Sequence, residues 1–510
     1  MNAAQGRAKE LRKKAKIFLS FRQHPVKIIK YTTKYLWLLL FSLGKYLIAM
    51  EFDIAGWLHA NWFDLIVVLA IFIFAFIRWI TVYFELAEDR IIGHTGFLGM
   101  ARTVVYFEEI ASFSVCQGPV AYVLHSCQVY IDTDAKCFQS TDIRIDLTKS
   151  RAMEIYQLIC KKSQAHPGFV FTTRKRQLLV FSLLFTSAVS GAIVLLTILY
   201  QSYLITDAEF EKRLLNEMNN QIQNIENYSI GKYFLAAGAL IGLVWIMSFT
   251  SNLLRHWDFT CRPGEEFLRI RSGKGSRRHH LLRRDHINYL DFTQSFFMRL
   301  FNICSVEVGC SGYGKRRKEI SALIPITTLK DAAASARLLT PEYKMCNAQV
   351  KTNSANIVGY VIFPLIAAAI ALAAGVATQY FFPERRNRII FIEIMLALPF
   401  FWMAVVKAVA ALNTSMGFKG SDVTLCYCKW YTFHKVLLKK EKITKVTVRQ
   451  DPFSKIAGNG TVFFYTTGEK SPRHKVAGVN YKRALEILKN NGFEVTAPGD
   501  SKDIQQGDEI

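Results

Sequence analysis

The residues of this chain best suited to chemistry are cations. Arg271, Lys274, Arg277, Arg278, Arg283 and Arg284 crowd one segment, with His279 and His280 among them. Lys315, Arg316, Arg317 and Lys318 follow in a glycine-flanked turn, and Lys439, Lys440, Lys442 and Lys445 come later. Guanidinium and ammonium groups at this density suit phosphate. Held beneath a bilayer, each adds about 1 kcal/mol of attraction to anionic head groups. Arg277, Arg278, Arg316 and Arg317 are the expected phosphate contacts. A solvated loop obeying a positive-inside bias explains the same residues equally well.

Catalysis finds no constellation. The chain has no Walker loop, no His-Glu-x-x-His, no Gly-x-Ser-x-Gly and no dinucleotide fingerprint, so a non-enzymatic protein without cofactor is expected. Gly93, Gly96 and Gly99 fit turns. Cys426 and Cys428 would share one face of a strand, but no second Cys/His pair stands at zinc spacing, so buried thiols are expected and no metal site. Lys45, Asp64, Arg78, Glu393 and Lys407 lie within or beside apolar runs. Snorkelling to an interface accounts for them. The alternative is a polar path through a transporter or efflux component for a lipid or amphipathic peptide, which places a cavity near Lys45 or Lys407.

The elements that position these residues begin with the apolar runs. Candidate spans are 33–50, 63–85, 178–204, 230–253, 356–381 and 388–411. Most approach the roughly 20 residues that cross a bilayer. Of the +24 net charge, residues 1–34 hold ten Lys/Arg against one Glu, and no removable signal peptide is expected there. Loop 51–62 has no Lys or Arg, and loop 205–229 is mainly acidic. The expected topology is a multi-pass cell-membrane protein with both termini and the β-rich segments in the cytoplasm. Arg385, Arg386 and Arg388 run against that rule in a short outer loop. All ten cysteines fall in the segments placed inside, which suits a reducing compartment. The same bias explains the basic balance, so no nucleic-acid partner is implied.

The plan repeats three times. The pattern [DE]-x-Ile-x6-Gln-x9-[CG]-x-Val occurs at Glu108, Ile110, Gln117, Cys127, Val129; at Asp285, Ile287, Gln294, Cys304, Val306; and at Glu441, Ile443, Gln450, Gly460, Val462. The isoleucines are expected in the core. The glutamines, at an odd offset along a strand, are expected to hydrogen-bond the following loop. Short β runs with frequent turns suggest a small barrel, plugged by helices at 148–162, 327–340 and 480–491. The expected fold is therefore membrane α-helical hairpins plus α+β, in three repeats of two transmembrane helices and a β-barrel capped by a C-terminal helix. The boundaries are 1–85 for the basic N-terminus and hairpin 1, 86–163, 174–254 with an outer amphipathic insert at 206–229, 255–341, 354–412, 413–493, and a disordered tail 494–510. Gly238, Gly242 and Gly375 are candidate points of close helix approach.

This layout, from Arg22-Gln23-His24-Pro25 to about Gly492, resembles the bacterial pleckstrin-homology-type (PH domain-containing, YdbT-like) membrane proteins. Gln117-Gly118-Pro119 and Gln450-Asp451-Pro452-Phe453 match that family's pattern, while Gln294-Ser295-Phe296-Phe297 lacks the proline. The resemblance implies PH-like domains and a role in the cell envelope or in resistance to membrane-active peptides. It also implies a companion PH-type membrane protein. Together with the charge, it points to a scaffold for self-association, for that companion or for anionic lipid.

Overall fold

Strand β1 (Ile17–Arg22) pairs antiparallel with β2 (Tyr83–Ala87), Phe21 opposite Phe84, although an apolar stretch separates them in sequence. The structure, a computed structural model, describes residues 17–33, 54–96, 99–134, 142–161, 168–184, 232–314, 321–352, 357–383, 386–466 and 473–493. The expected span 33–50, Lys45, most of span 178–204, the insert 206–229, Lys315 to Lys318 and the tail 494–510 lie outside the described residues. The chain divides into two compact units. One comprises Thr172–Thr260 with Arg271–Arg277, and the other comprises the rest.

In the larger unit, β1, β2, β3 (Arg90–Thr95) and β4 (Ala101–Tyr106) form one sheet. A 3-10 turn at Phe107–Glu109 leads into β5 (Ile110–Gln117), β6 (Ser126–Thr133) and β7 (Ile143–Thr148). The two sheets share one core. Phe21, Phe84 and Ile91 from the first meet Ile110, Phe113, Val129 and Ile145 from the second. Helix α1 (Trp62–Thr81) precedes β2, and helix α2 (Lys149–Lys161) buries Ala152, Ile155 and Ile159 against this core as a plug.

A second group follows. Its strands are β8 (Phe171–Thr172), β9 (Thr260–Arg262), β10 (Phe267–Ser272), β11 (Arg277–Arg283), β12 (Ile287–Ser295), β13 (Ile303–Cys310) and β14 (Ala322–Thr328). In the smaller unit lie α3 (Lys175–Leu184) and α4 (Lys232–His256). Helix α5 (Leu329–Leu339) starts where the Thr328 hydroxyl accepts from the Asp331 amide, an N-cap. A third group has β15 (Val350–Lys351), an apolar hairpin of α6 (Ile357–Phe381) and α7 (Arg386–Asn413), then β16 (Ser415–Lys419), β17 (Asp422–Lys429) and β18 (Thr432–Lys439). It ends with β19 (Ile443–Arg449), β20 (Asn459–Thr466), β21 (Arg473–Asn480) and α8 (Tyr481–Asn490), capped by the Asn480 side chain.

Among the described residues, three helices are long and apolar enough to cross a membrane: Trp62–Thr81, Ile357–Phe381 and, within α7, Leu396–Asn413. This makes the chain a membrane protein. The domain boundaries shift at one point. Two of the apolar stretches stand inside the β-domains rather than before them, because β1 and β15 precede them and pair with the strands after them, β2 and β16. A two-residue strand such as β15 carries too little pattern to be read from sequence. The small-residue expectation also changes. A Cβ on Gly242 would meet nothing within 4 Å, whereas one on Gly375 would overlap the side chain of Glu393. Gly375 thus makes room for a carboxylate that accepts from Gln379 Nε2 at 2.7 Å, not for a second backbone.

The sheets join edge to edge. The first and third groups are closed on one flank. On the closed flank the His24 amide donates to the Asp146 carbonyl at 2.7 Å, and Thr352 bridges to Val479. Between the fourth and fifth strands the next group docks. β5 pairs with β11, and β12 pairs antiparallel with β18 from Tyr289↔Leu438 to Ser295↔Thr432. Ser114 Oγ meets His280 Nδ1 at 2.8 Å across the first junction, and Asp291 meets His434 Nδ1 at 2.7 Å across the second. Gly312, at φ +78°, lies so close to Ser112 and Asp132 that a Cβ there would overlap both.

Candidate membrane-facing site

The three glutamines occupy equivalent places. Gln117 Nε2 donates to the Ser126 carbonyl at 3.3 Å, Gln294 to Ile303 at 2.8 Å and Gln450 to Asn459 at 3.0 Å. Each acceptor follows a left-handed residue, namely His125, Asn302 or Gly458. The amide therefore ties a strand end to a tight turn, and the loop between carries a one-turn helix. Ile110 and Ile287 are fully buried, and Ile443 packs against the third core.

The loop at Phe296–Leu300 reaches the foot of a spanning helix. Phe296 and Phe297 lie against Trp402 of α7, at centroid separations of 4.8 and 5.5 Å. Arg299 donates to Asn413 Oδ1 at 2.6 Å and lies over the Phe433 ring at 4.9 Å. Beside it opens a cavity of about 590 Å³ whose rim brings together Arg299, Lys330, His434 and Lys435 with the amides of Gln294 and Asn302. Ala410 and Asn413 place it at the end of α7. Asp291 partners His434, so the uncompensated charge comes from Arg299, Lys330 and Lys435. An anionic group with several acceptor oxygens suits such a set. Its members come from β12 and its loop, α5 and β18, so no short sequence window contains them. The one local signal was Arg299, five residues after Gln294 in an aromatic run.

The cations singled out from sequence divide. In the smaller unit, the Lys175 and Lys274 ammonium groups flank the Trp257 ring at 5.8 and 5.7 Å, and the Lys274 amide donates to the Leu254 carbonyl at the end of α4. Arg271 and Arg277 are exposed in that unit. This cluster gathers two ammonium groups around a tryptophan that follows the end of α4. Arg278 belongs to the larger unit and is partly buried. Four expected phosphate ligands are otherwise engaged. Arg283 donates to the carbonyls of Phe107 and Glu108. Arg284 holds the Gly264 and Leu339 carbonyls and pairs with Glu342 at 2.9 Å. Lys439 pairs with Asp422 at 2.9 Å, and Lys440 covers the Phe493 ring. Arg283 joins the second group of strands to the first, while the other three are held within their own groups; spacing alone does not separate such a cation from a solvated one.

The charges beside the spans also find places. Arg78 stacks on Tyr31 at 4.4 Å. Asp64 stands in the first turn of α1. Lys407 acts electrostatically on Cys428 and Lys475, both in the third group of strands. The groove between α6 and α7 is lined by Val361, Leu365, Leu398, Phe401, Trp402 and Val405 together with two alanines. The polar path expected beside Lys407 is not found among the described residues. Burial raises the thiols of Cys426 and Cys428, and Cys304 reaches about 12.

Paired sheets plugged by a helix, set against apolar spans, define a membrane-anchored protein of the pleckstrin-homology architecture. Residues 38–163 and 220–343 match the family described as Bacterial PH domain, and the chain is a bacterial PH-domain protein. No curated protein matches it significantly.

Proposed function

We propose that this protein is a non-enzymatic membrane scaffold that binds anionic lipid head groups on the cytoplasmic face through the cavity at the foot of α7. In this reading the third group, β15 to α8, is a third PH-like domain, the three repeats are of the YdbT-like kind, and the chain serves the cell envelope. The observation that carries it is the convergence of Arg299, Lys330 and Lys435 on one cavity beside Asn413. Two features support a multi-pass topology with the β-domains on one side. β15 and β16 share a sheet although α6 and α7 lie between them, so any crossing by α6 is undone by α7. β1 and β2 impose the same parity on the stretch between Arg22 and Tyr83. Positive-inside bias assigns that side to the cytoplasm.

Lys330 and Lys435 are the cations to test, since Arg299 also holds Asn413. At about 1 kcal/mol each, Lys330→Gln with Lys435→Gln is expected to weaken binding to anionic lipid nanodiscs roughly 30-fold. The double variant and the parent are compared by lipid mass spectrometry of the full-length protein and by titration with phosphatidylglycerol. Equal retention of anionic lipid by both would end the proposal.

A further inference from the structure

Among the described residues, β4 and β19 lack the partner that the corresponding strands have at the two junctions between groups. The rule inside the molecule is uniform. The fifth strand of one group pairs with the fourth strand of the next, β5 with β11 and β12 with β18. That rule leaves β4, at the start of the series, and β19, at its end, with one neighbour each among the described residues. Burial records the difference. β5 is buried throughout and β12 over seven of its nine residues, whereas β19 has no buried residue. On the other side, Leu281 and Leu437 are 0% and 2% exposed, while Val104, equally placed before its 3-10 turn, is 39% exposed. Unpaired backbone groups along such edges are templates for another strand.

We propose that β19 of one copy of this chain pairs antiparallel with β4 of a second copy, head to tail. This deepens the self-association part of the scaffold reading and rests on it, but not on lipid binding. The occupant follows from continuity. The donor edge missing from one end is the acceptor edge left over at the other, and both are in the same chain. Register carries over from the β12–β18 ladder through the glutamine and the 3-10 turn, setting Lys445 opposite Val105, Val446 opposite Val104 and Thr447 opposite Thr103. In the existing junctions the place of Thr447 is held by Ser114 and Asp291, the two residues that reach across to a histidine. A threonine pair there is a favourable cross-strand contact. Lys445 need not obstruct, because its ammonium lies over the Tyr465 ring of its own sheet at 6.0 Å. The contact is heterologous, so it closes into a ring or runs on as a chain of copies.

Two differently tagged full-length copies are co-expressed, one carrying Thr103→Cys and the other Thr447→Cys, and membranes are oxidised before non-reducing electrophoresis. The expected result is a mixed-tag dimer that forms only when both variants are present. It should be lost when the second copy also carries Val446→Lys, with expression unchanged. A chain with both cysteines that cross-links within itself and yields no dimer would overturn the inference, since the series would then close on itself. A Thr447→Cys cross-link to a different PH-type protein would overturn it too, while leaving the scaffold reading intact. No cross-link, with a monomeric mass in detergent, would remove the inference together with the self-association part of the scaffold reading, leaving lipid binding to its own test.

Discussion

Asp146 is the buried charge whose removal says most about how the N-terminal segment is held. It lies on β7 with a fully buried carboxylate, paired with Lys27 at 2.9 Å and with Lys30. Both lysines belong to the helical residues 26–33. The His24 amide bonds to the Asp146 carbonyl, and the Trp79 indole at the end of α1 donates to the Gln23 carbonyl at 2.8 Å. Burial pushes the Asp146 carboxyl up, but Lys27 and Lys30 outweigh it and hold it below its ordinary value. Burial lowers the Lys27 ammonium, which the carboxylate only partly restores. Asp146→Asn keeps the shape and leaves Lys27 charged and unpaired, a loss of about 3–5 kcal/mol. That equals roughly two to three and a half decades in a local opening constant. Hydrogen exchange of the full-length protein in detergent should show this acceleration in peptides covering 23–32 and 143–148, with β20 and β21 unaffected. Replacing both partners, Asp146→Leu with Lys27→Met, should restore most of the protection, because Lys30 is half-exposed and can turn to water. Unchanged exchange in Asp146→Asn, or no recovery in the double variant, would refute the reasoning. The folded pKa is depressed, so this contribution is complete at neutral pH and fades only below the ordinary carboxyl value of 3.8.

Other outcomes follow from the same structure. Burial lowers His474 to about 3, and it bonds Tyr427 and Thr466 while neutral. Because the unfolded imidazole titrates near 6.5, stability of the third group should fall below that pH, by about 2 kcal/mol at pH 5, a slope measurable by exchange in β21 and flattened in His474→Gln. Gln294→Ala strands the Ile303 carbonyl and should cost about 1–3 kcal/mol, with Gln294→Glu at least as harmful because it sets an acceptor against an acceptor; denaturant midpoints decide. Gly312→Ala should loosen the junction at Ser112 and Asp132, seen as faster exchange in β5 and β11 with α8 unchanged. Cys127, lifted to about 11 by burial, should resist maleimide at neutral pH until the first group opens.

The sequence carried the parts of the fold that repeat or alternate. The plug helices were placed to within two residues, because Ala152, Ile155 and Ala484 recur at helical spacing on a polar background. The turn-spanning role of the glutamines was also readable from an odd strand offset. Other features were not. β15 is two residues long and carries no period, so the insertion of its hairpin within the sheet was invisible. The cavity at α7 was missed because Arg299, Lys330 and Lys435 meet only through pairing between β12 and β18. Conversely, Arg283 and Arg284 looked like phosphate ligands because the sequence does not show the carbonyls that occupy them.

The strand that opens a sheet ahead of its hairpin has a consequence for biogenesis. When β15 leaves the ribosome its partner β16 has not been made, and the apolar hairpin must be threaded before the two can meet. In the proposed topology the sheet closes only once the chain has gone out and come back. A hairpin left half-threaded would strand β15 and β16 in different compartments, with bare edges marking the failure for quality-control proteases. In the proposed topology, completion of the β-domain would report that the hairpin had gone out and come back, and β1 with β2 would report the same for the first stretch of the chain.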